Sequence, residues 1–297
     1  MSLAPRVVLV HRTTEYEELV ARHGTHGQVA FFLSSRGRDI AEVAERHRRA
    51  REALAAVVSA IPLTWRQARL ERADLDRFLF APEDVVVVVG QDGLVANVAK
   101  YLMGQPVVGI DADPGRNPGV LVRHRPQDAG ALLASAHGGS ADELTMVEAV
   151  ADDTQRLVAL NEIYLGAAGH QTARYRLGLD EYGGAVEPQA SSGVLVGTGT
   201  GASGWLRSVW QERGGGLSLP GPTDERLLWF VREAWPSPAT GTSLVAGELT
   251  ASGRLSLTVE SDRLIAFGDG MEGDAVELMW GQTVRVGVAG VRLRLVG

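Results

Sequence analysis

Hydrophobic positions along this 297-residue chain fall into two patterns, one after the other. In the first third, short apolar runs alternate with stretches whose apolar residues recur every three to four positions. RVVLVH (6–11), VAFFLS (29–34), DVVVVV (84–89) and PVVGID (106–111) read as strands. Between them, TEYEELVARHG has helical spacing that ends on Gly24, and Asp39 opens a long helix over 39–60, closed near Pro62. The stripe expected to be buried on that helix is Ile40, Val43, Leu54, Val57 and Val58. A further amphipathic stretch covers 64–79, and LVANVAKYLMG (94–104) and PQDAGALLASAHG (126–138) read as helices. Strands covered on both faces lose their in–out alternation, so near-pure apolar runs between helices predict a parallel sheet.

After Pro118 the character changes, and from about residue 143 onward the period becomes that of strands. ELTMVEAVAD, RLVALNEIYLG, ARYRLGL and SGVLVGTG are short alternating segments punctuated by Gly, Asp and Ser. The stretch 244–270 places strands on either side of turn residues, and TVRVGVAGVRLRLVG (283–297) supplies one or two more. The expected fold class is therefore α/β plus all-β. A Rossmann-like parallel sheet with helices occupies 1–122, an antiparallel β-rich domain 123–270, and C-terminal strands 271–297 that can return to the first domain. GGGLSLPGPTDE (214–225) is the most loop-like region and is expected to be a flap or crossover.

A formal charge of -7 argues against a nucleic-acid partner, which would call for net basicity or a long basic stripe. The densest basic run, RHRRAR (46–51), lies within the long helix and reads as a solvated face. Cysteine is absent, which removes disulfides, thiol catalysis and cysteine-based zinc sites and fits a cytoplasmic location. No apolar stretch approaches the ~20 residues of a membrane span, so no membrane partner is expected. Lysine occurs once, at Lys100, eight residues beyond Asp92.

Neither GxxxxGK(S/T) nor a GxGxxG fingerprint follows the early strands, which sets aside P-loop NTPases and weakens a dinucleotide-binding dehydrogenase. The seven histidines lack metal-ligand spacing, and no protein metal site is expected; His170 lies near the glycine-rich region. Three polar clusters remain. The first is Gly90-Gln91-Asp92-Gly93, directly after the valine strand. Glycines let backbone approach a ligand closely, and open α/β sheets place ligands at the carboxyl ends of strands. Asp92 either faces such a ligand or caps the helix starting near Leu94. The second cluster, Asn161-Glu162 in LNEIYLG, either clamps vicinal hydroxyls of a ribose or forms a turn. The third, SSGVLVGTGTGASGW (191–205), runs a strand into alternating glycines and hydroxyls, a pattern suited to phosphates or a carboxamide.

In this order the three clusters resemble those of the NAD kinases, relatives of the lipid kinases of the diacylglycerol kinase type. That family carries a Gly-Gly-Asp-Gly turn after a strand, then an Asn-Glu pair, then a Thr-Pro-Thr-Gly-Ser-Thr-Ala-Tyr-like loop. AFGDGMEGD (266–274) is similar to the family's late Asp-Gly-Gln segment, so the resemblance spans about residues 84–297. It implies ATP-dependent phosphorylation of the 2′-hydroxyl of NAD to give NADP, with Mg2+ or another divalent metal bridging ATP oxygens. Asp92 would orient or deprotonate the attacking hydroxyl, and Gly90, Gln91 and Gly93 would approach the ATP phosphates. Asn161, Glu162, Ser192, Thr198, Thr200, Ser203, Gly204 and Trp205 would bind the substrate. The resemblance also implies a homodimer or homotetramer.

The departures bear on the acceptor. Gln91 replaces the second glycine, Leu94 a threonine, Gly199 the proline and Trp205 the tyrosine. Ser192 stands where many family members have an aspartate that contacts substrate. GQDGLVANVAKYL together with SSGVLVGTGTGASGW is most similar to a divergent bacterial, NAD kinase-like branch. The alternatives are a kinase for another hydroxyl acceptor (sugar, nucleoside or lipid) and a non-catalytic dinucleotide sensor on the same fold.

Overall fold

A computed structural model describes residues 5–116, 119–136, 138–152, 154–179 and 186–297. The chain divides into two compact units, Met1–Asp142 with Arg294–Gly297, and Glu143–Leu293.

The first unit is built on parallel strands β1 (Arg6–His11), β2 (Arg66–Glu71), β3 (Asp84–Gly90) and β4 (Pro106–Asp111), in the order β2-β1-β3-β4. Val85 to Val88 are wholly buried, as a strand covered on both faces requires. The helices are α1 (Glu15–His23), α2 (His26–Ser34), α3 (Ile40–Ala60), α4 (Asp92–Ala99) and α5 (Ala129–Ser135). Thr14 and Glu17 form a capping box at the start of α1, and Asp39 caps α3 by accepting from the Ala41 N–H. Val43, Ala53 and Val57 are the buried face of α3, with Leu54 and Val58 packed at its margin. The basic run on α3 is laced with acids: Arg46 pairs with Glu15, Arg48 with Glu45 and Glu52, and Arg49 with Glu45 and Asp113. That face is solvated and neutralised.

Two readings of the first third are corrected. Residues 29–34 form the end of helix α2, not a strand. Thr25 accepts from the Gln28 N–H to start the helix, and Val29 and Leu33, four apart, are buried while Phe31 is 77% exposed. One turn of cap chemistry outweighs the β preference of a short apolar run. The amphipathic stretch 64–79 divides into β2 and a 3-10 turn over Arg72–Arg77. As an edge strand, β2 buries only Leu70, which leaves it a polar pattern easily taken for a helix face.

The second unit is antiparallel β. Its strands are β5 (Ala141–Ala151), β6 (Gln155–Ala159), β7 (Glu162–Gly166), β8 (Ala173–Leu179), β9 (Glu187–Ser191), β10 (Gly193–Gly197), β11 (Leu227–Arg232), β12 (Ala246–Leu249), β13 (Arg254–Val259), β14 (Arg263–Gly268), β15 (Met271–Met279) and β16 (Thr283–Val296). One sheet runs β12-β11-β10-β7-β14-β15, and β16-β13-β8-β9 form a second antiparallel run. Their facing residues, among them Ile163, Leu165, Val194, Val196 and Trp229 from one and Tyr175, Leu177, Leu255, Leu257 and Val286 from the other, make one core. A helix, α6 (Trp205–Glu212), packs Leu206 and Val209 on the other face of the first sheet, against Leu195, Leu228 and Phe230. The glycine-rich segment 214–225 crosses from α6 to β11, held by Trp210 to Leu217, Arg226 to Ser218 and Leu219, and Thr145 to Pro222.

The expected fold class, a parallel α/β portion followed by an antiparallel β portion, is what the chain adopts. Among the described residues no helix is long and apolar enough to cross a membrane.

Candidate active site

In the first unit the strand order sets the place. From β1 the chain moves outward to β2, and then returns to the other side of β1 for β3 and β4. Connections leaving β1 and β3 therefore diverge at their carboxyl ends, the switch point where open α/β sheets bind ligands. Gly90-Gln91-Asp92-Gly93 lies at that end of β3. Helix α4 begins at Asp92 itself, two residues before Leu94, and Gln91 occupies the cap position without a side-chain cap bond. Asp92 is thus the first helical residue. Its carboxylate accepts three backbone N–H groups: Val120 on Oδ2 at 3.0 Å, and Leu121 and Val122 on Oδ1 at 2.8 and 2.9 Å. That segment is seated by Gly109 in β4, where a Cβ would run into the Leu121 carbonyl oxygen. Gln91 and Gly93 are exposed, and nothing lies within 4 Å of where a Gly93 side chain would start. Lys100 is at the C-cap of α4.

In the second unit, Asn161 and Glu162 stand at the start of β7, beside the end of β10 where the loop 198–204 begins. Thr198, wholly buried, ties the two together. Its hydroxyl donates to the Leu160 carbonyl at 2.6 Å and accepts from the Thr200 and Gly201 N–H groups. Its own N–H donates to the Asn161 carbonyl at 2.9 Å. Gly201 packs on Asn161 and Glu162: a Cβ there would strike the Asn161 carbonyl and come within 3.1 Å of Glu162 Oε2. Ser203 donates to the Thr200 carbonyl, and Gly204 takes the N-cap position of α6. Trp205, next in line, stacks on Tyr164 with centroids 5.7 Å apart, and the Arg232 guanidinium sits 5.4 Å from its ring.

Two polar groups of this cluster have no protein partner among the described residues. The Thr200 hydroxyl is buried without a hydrogen bond, in a residue only 6% exposed. Glu162 receives no donor, and burial, reinforced by the charge of Asp269, pushes its carboxyl up to about 7. Buried polar groups are nearly always satisfied, so the Thr200 hydroxyl marks a place for a ligand, and Glu162, partly exposed with a raised carboxyl value, is a candidate to meet the same ligand.

The structure brings Asn161, Glu162, Thr198, Thr200, Ser203, Gly204 and Trp205 to neighbouring positions. Ser192 is exposed at the opposite end of β10 from Thr198, about 20 Å away at ~3.3 Å per strand residue, yet it lies near Trp205 through the Tyr164 ring on which Trp205 stacks. There its carbonyl accepts from the Tyr164 hydroxyl. His170 is exposed in the connection between β7 and β8. Sequence reasoning missed the Val120–Val122 backbone, which no side-chain pattern announces; it marked the AFGDGMEGD segment but gave Asp269, between Gly268 and Gly270, no role. Among the described residues no three His, Cys, Asp or Glu side chains gather as a metal site. An open cleft of about 400 Å³ on α1 and α2, lined by His23, Gln28, Phe31, Phe32 and Arg36 among others, shares no residue with either cluster.

No protein-family profile matches this chain, and neither does any curated protein. Among solved structures, the chain is similar to an NAD kinase from Archaeoglobus fulgidus in complex with ATP. The TM-score is 0.59 and the identity 17%, over 98% of this chain and 93% of that one. The fold is that of an NAD kinase.

Proposed function

We propose that the chain is an ATP-dependent phosphotransferase of the NAD kinase type, making NADP from NAD. The observation that carries this reading is Asp92: a glycine-flanked carboxylate opening a helix at the sheet's switch point, in a chain with this fold. Its three N–H bonds hold the carboxylate still, yet Oδ2 takes only one of them. A lone pair there remains for the hydrogen of an attacking hydroxyl. In the transfer, the acceptor oxygen forms a bond to the γ-phosphorus, the bond to the ADP oxygen breaks, and Asp92 takes the proton. Phosphoryl transfer asks mainly for positioning and charge neutralisation.

The residues fit a nucleotide phosphate. No side chain caps α4, so the dipole's positive end is not neutralised there, and Gly93 leaves room for close approach. Mg2+ bound with ATP would supply further neutralisation, its ligands coming mostly from phosphate oxygens and water. For the acceptor, Asn161, Glu162 and the Thr200 hydroxyl offer donors and acceptors to ribose hydroxyls or a base edge. Gln91, exposed directly before Asp92, and Trp205, stacked on Tyr164, favour as a second reading a different hydroxyl acceptor: a sugar, nucleoside or lipid. Self-association as a dimer or tetramer belongs to the main reading and is measurable by light scattering.

The test is NADP formation from NAD and Mg-ATP. Asp92→Asn should reduce turnover on the order of 10²- to 10⁴-fold. Tight NAD binding that is equal in wild type and Asp92→Asn, with no NADP from either, would sink the enzymatic reading and leave a sensor.

A further inference from the structure

Asp269 follows β14 at the turn into β15, between Gly268 and Gly270, with φ at +54°. For a residue with a side chain this left-handed backbone is uncommon, and Asp and Asn tolerate it best. Its carboxylate accepts from the Leu160 N–H on Oδ2 at 2.8 Å, and from Asn161 and Glu162 on Oδ1 at 2.7 and 3.4 Å. In return the Asp269 N–H donates to the Glu162 carbonyl at 3.2 Å. From the other side Thr198 bonds the Leu160 and Asn161 carbonyls. Every backbone N–H and C=O of residues 160–162 is therefore occupied. What remains free is the pair of side chains.

We infer that Asp269 is a positioning residue: it clamps the Leu160–Glu162 backbone so that Asn161 and Glu162 meet the ligand in one fixed geometry, and its charge adds to burial in acting on Glu162. The inference rests on the reading that Asn161 and Glu162 hold the acceptor. Placing a second carboxylate beside a buried one is electrostatically unfavourable, so the arrangement needs a reason. Near neutral pH a protonated Glu162 both donates and accepts a hydrogen bond, whereas an ionised one only accepts. Asp269 is the charged group that acts on Glu162, next to burial itself.

The sign follows from linkage. Folding raises the Glu162 value from 4.5 to about 7, so the folded protein keeps a proton that the unfolded chain has released. This contribution is fully present below pH 4.5 and is lost as pH rises through about 7. The experiment is therefore thermal unfolding between pH 5.5 and 8 for wild type, Asp269→Asn, Glu162→Gln and the double variant. Asparagine suits the left-handed backbone; it removes the charge and turns one accepting oxygen into an NH2 donor facing a backbone N–H. Asp269→Asn should flatten the wild-type decline, moving its midpoint down by roughly one pH unit. In the Glu162→Gln background the same change should alter stability equally at every pH. A pH-independent loss in both backgrounds overturns the coupling.

The second arm uses Asp269→Gly, which accepts the backbone conformation without the carboxylate. The acceptor KM should rise on the order of tenfold to a hundredfold with kcat little changed. An unchanged KM overturns the positioning role. If wild type proves inert toward NAD, the proposed function fails, and the ligand-free unfolding arm still upholds or overturns the clamp.

Discussion

Asp92 and Asp269 use their carboxylates in the same way. Each follows a strand, stands among glycines, and gathers consecutive backbone N–H groups from a separate segment: Val120 to Val122 for one, Leu160 to Glu162 for the other. The sequence offered two readings of Asp92, a ligand-facing acid or a cap for the helix that follows. Neither describes what it holds, because the bonded groups are main-chain atoms of a segment without a pattern. The same applies to Thr198 and Thr200, which look alike in GTGTG and behave differently. Thr198→Val strands one carbonyl and two N–H groups in the interior and should cost about 2–4 kcal/mol. Thr200→Val removes a hydroxyl that bonds nothing and should be neutral or slightly stabilising while weakening ligand binding. Urea unfolding of the two variants, alongside NAD titration, separates these roles. Equal destabilisation by both would mean that the Thr200 hydroxyl has a partner after all.

Elements were legible where burial is two-sided or a cap is explicit. The valine strand, β1, β4 and the helix opened by Asp39 could be read because one cause dominates each. Helix α2 could not, since nine residues with Val, Ala, Phe and Leu satisfy either period, and only Thr25 decides. Edge strand β2 was obscured for the opposite reason, having almost nothing to bury. The seating of the 119–122 segment on β4 was also invisible, although it determines how Asp92 is held. Gly109→Ala tests that seating. A methyl group there collides with the Leu121 carbonyl, and the segment must lift away from the strand. The variant should lose phosphotransfer on the order of a hundredfold through misplacement of the carboxylate. Faster amide exchange at Leu121 and Val122 is the accompanying sign, and unaltered exchange would show that the segment is held by other means.

For the whole molecule, composition was informative mainly by exclusion. The basic run on α3 was expected to be a solvated face, and three of its arginines, Arg46, Arg48 and Arg49, are paired with acids. The succession of parallel and antiparallel portions was legible because the hydrophobic period itself changes along the chain. A return of the C-terminal strands to the first domain was offered by the sequence, but not which residues make it. Arg294 and Leu295, at the end of β16, lie parallel to Pro106 and Val107 of β4, and Val296 belongs to the core under α3 and α5. Leu295 and Val296 are 1% and 2% exposed. Removing residues 294–297 should destabilise the first unit by about 3–6 kcal/mol, at ~1.5–3 kcal/mol for each of two buried side chains, read as a lower urea midpoint. An unshifted midpoint would mean that β4 does not need this neighbour.

That short return has a consequence for how the protein is made. Domains ordinarily fold in the order in which they leave the ribosome, amino-terminal first. Here the amino-terminal unit emerges with the flank of β4 uncovered and stays so while all of Glu143–Leu293 is translated. Its last strand arrives only with the final codons of this stretch. Residues before Glu143 therefore wait for Arg294 and Leu295 before the flank of β4 is covered.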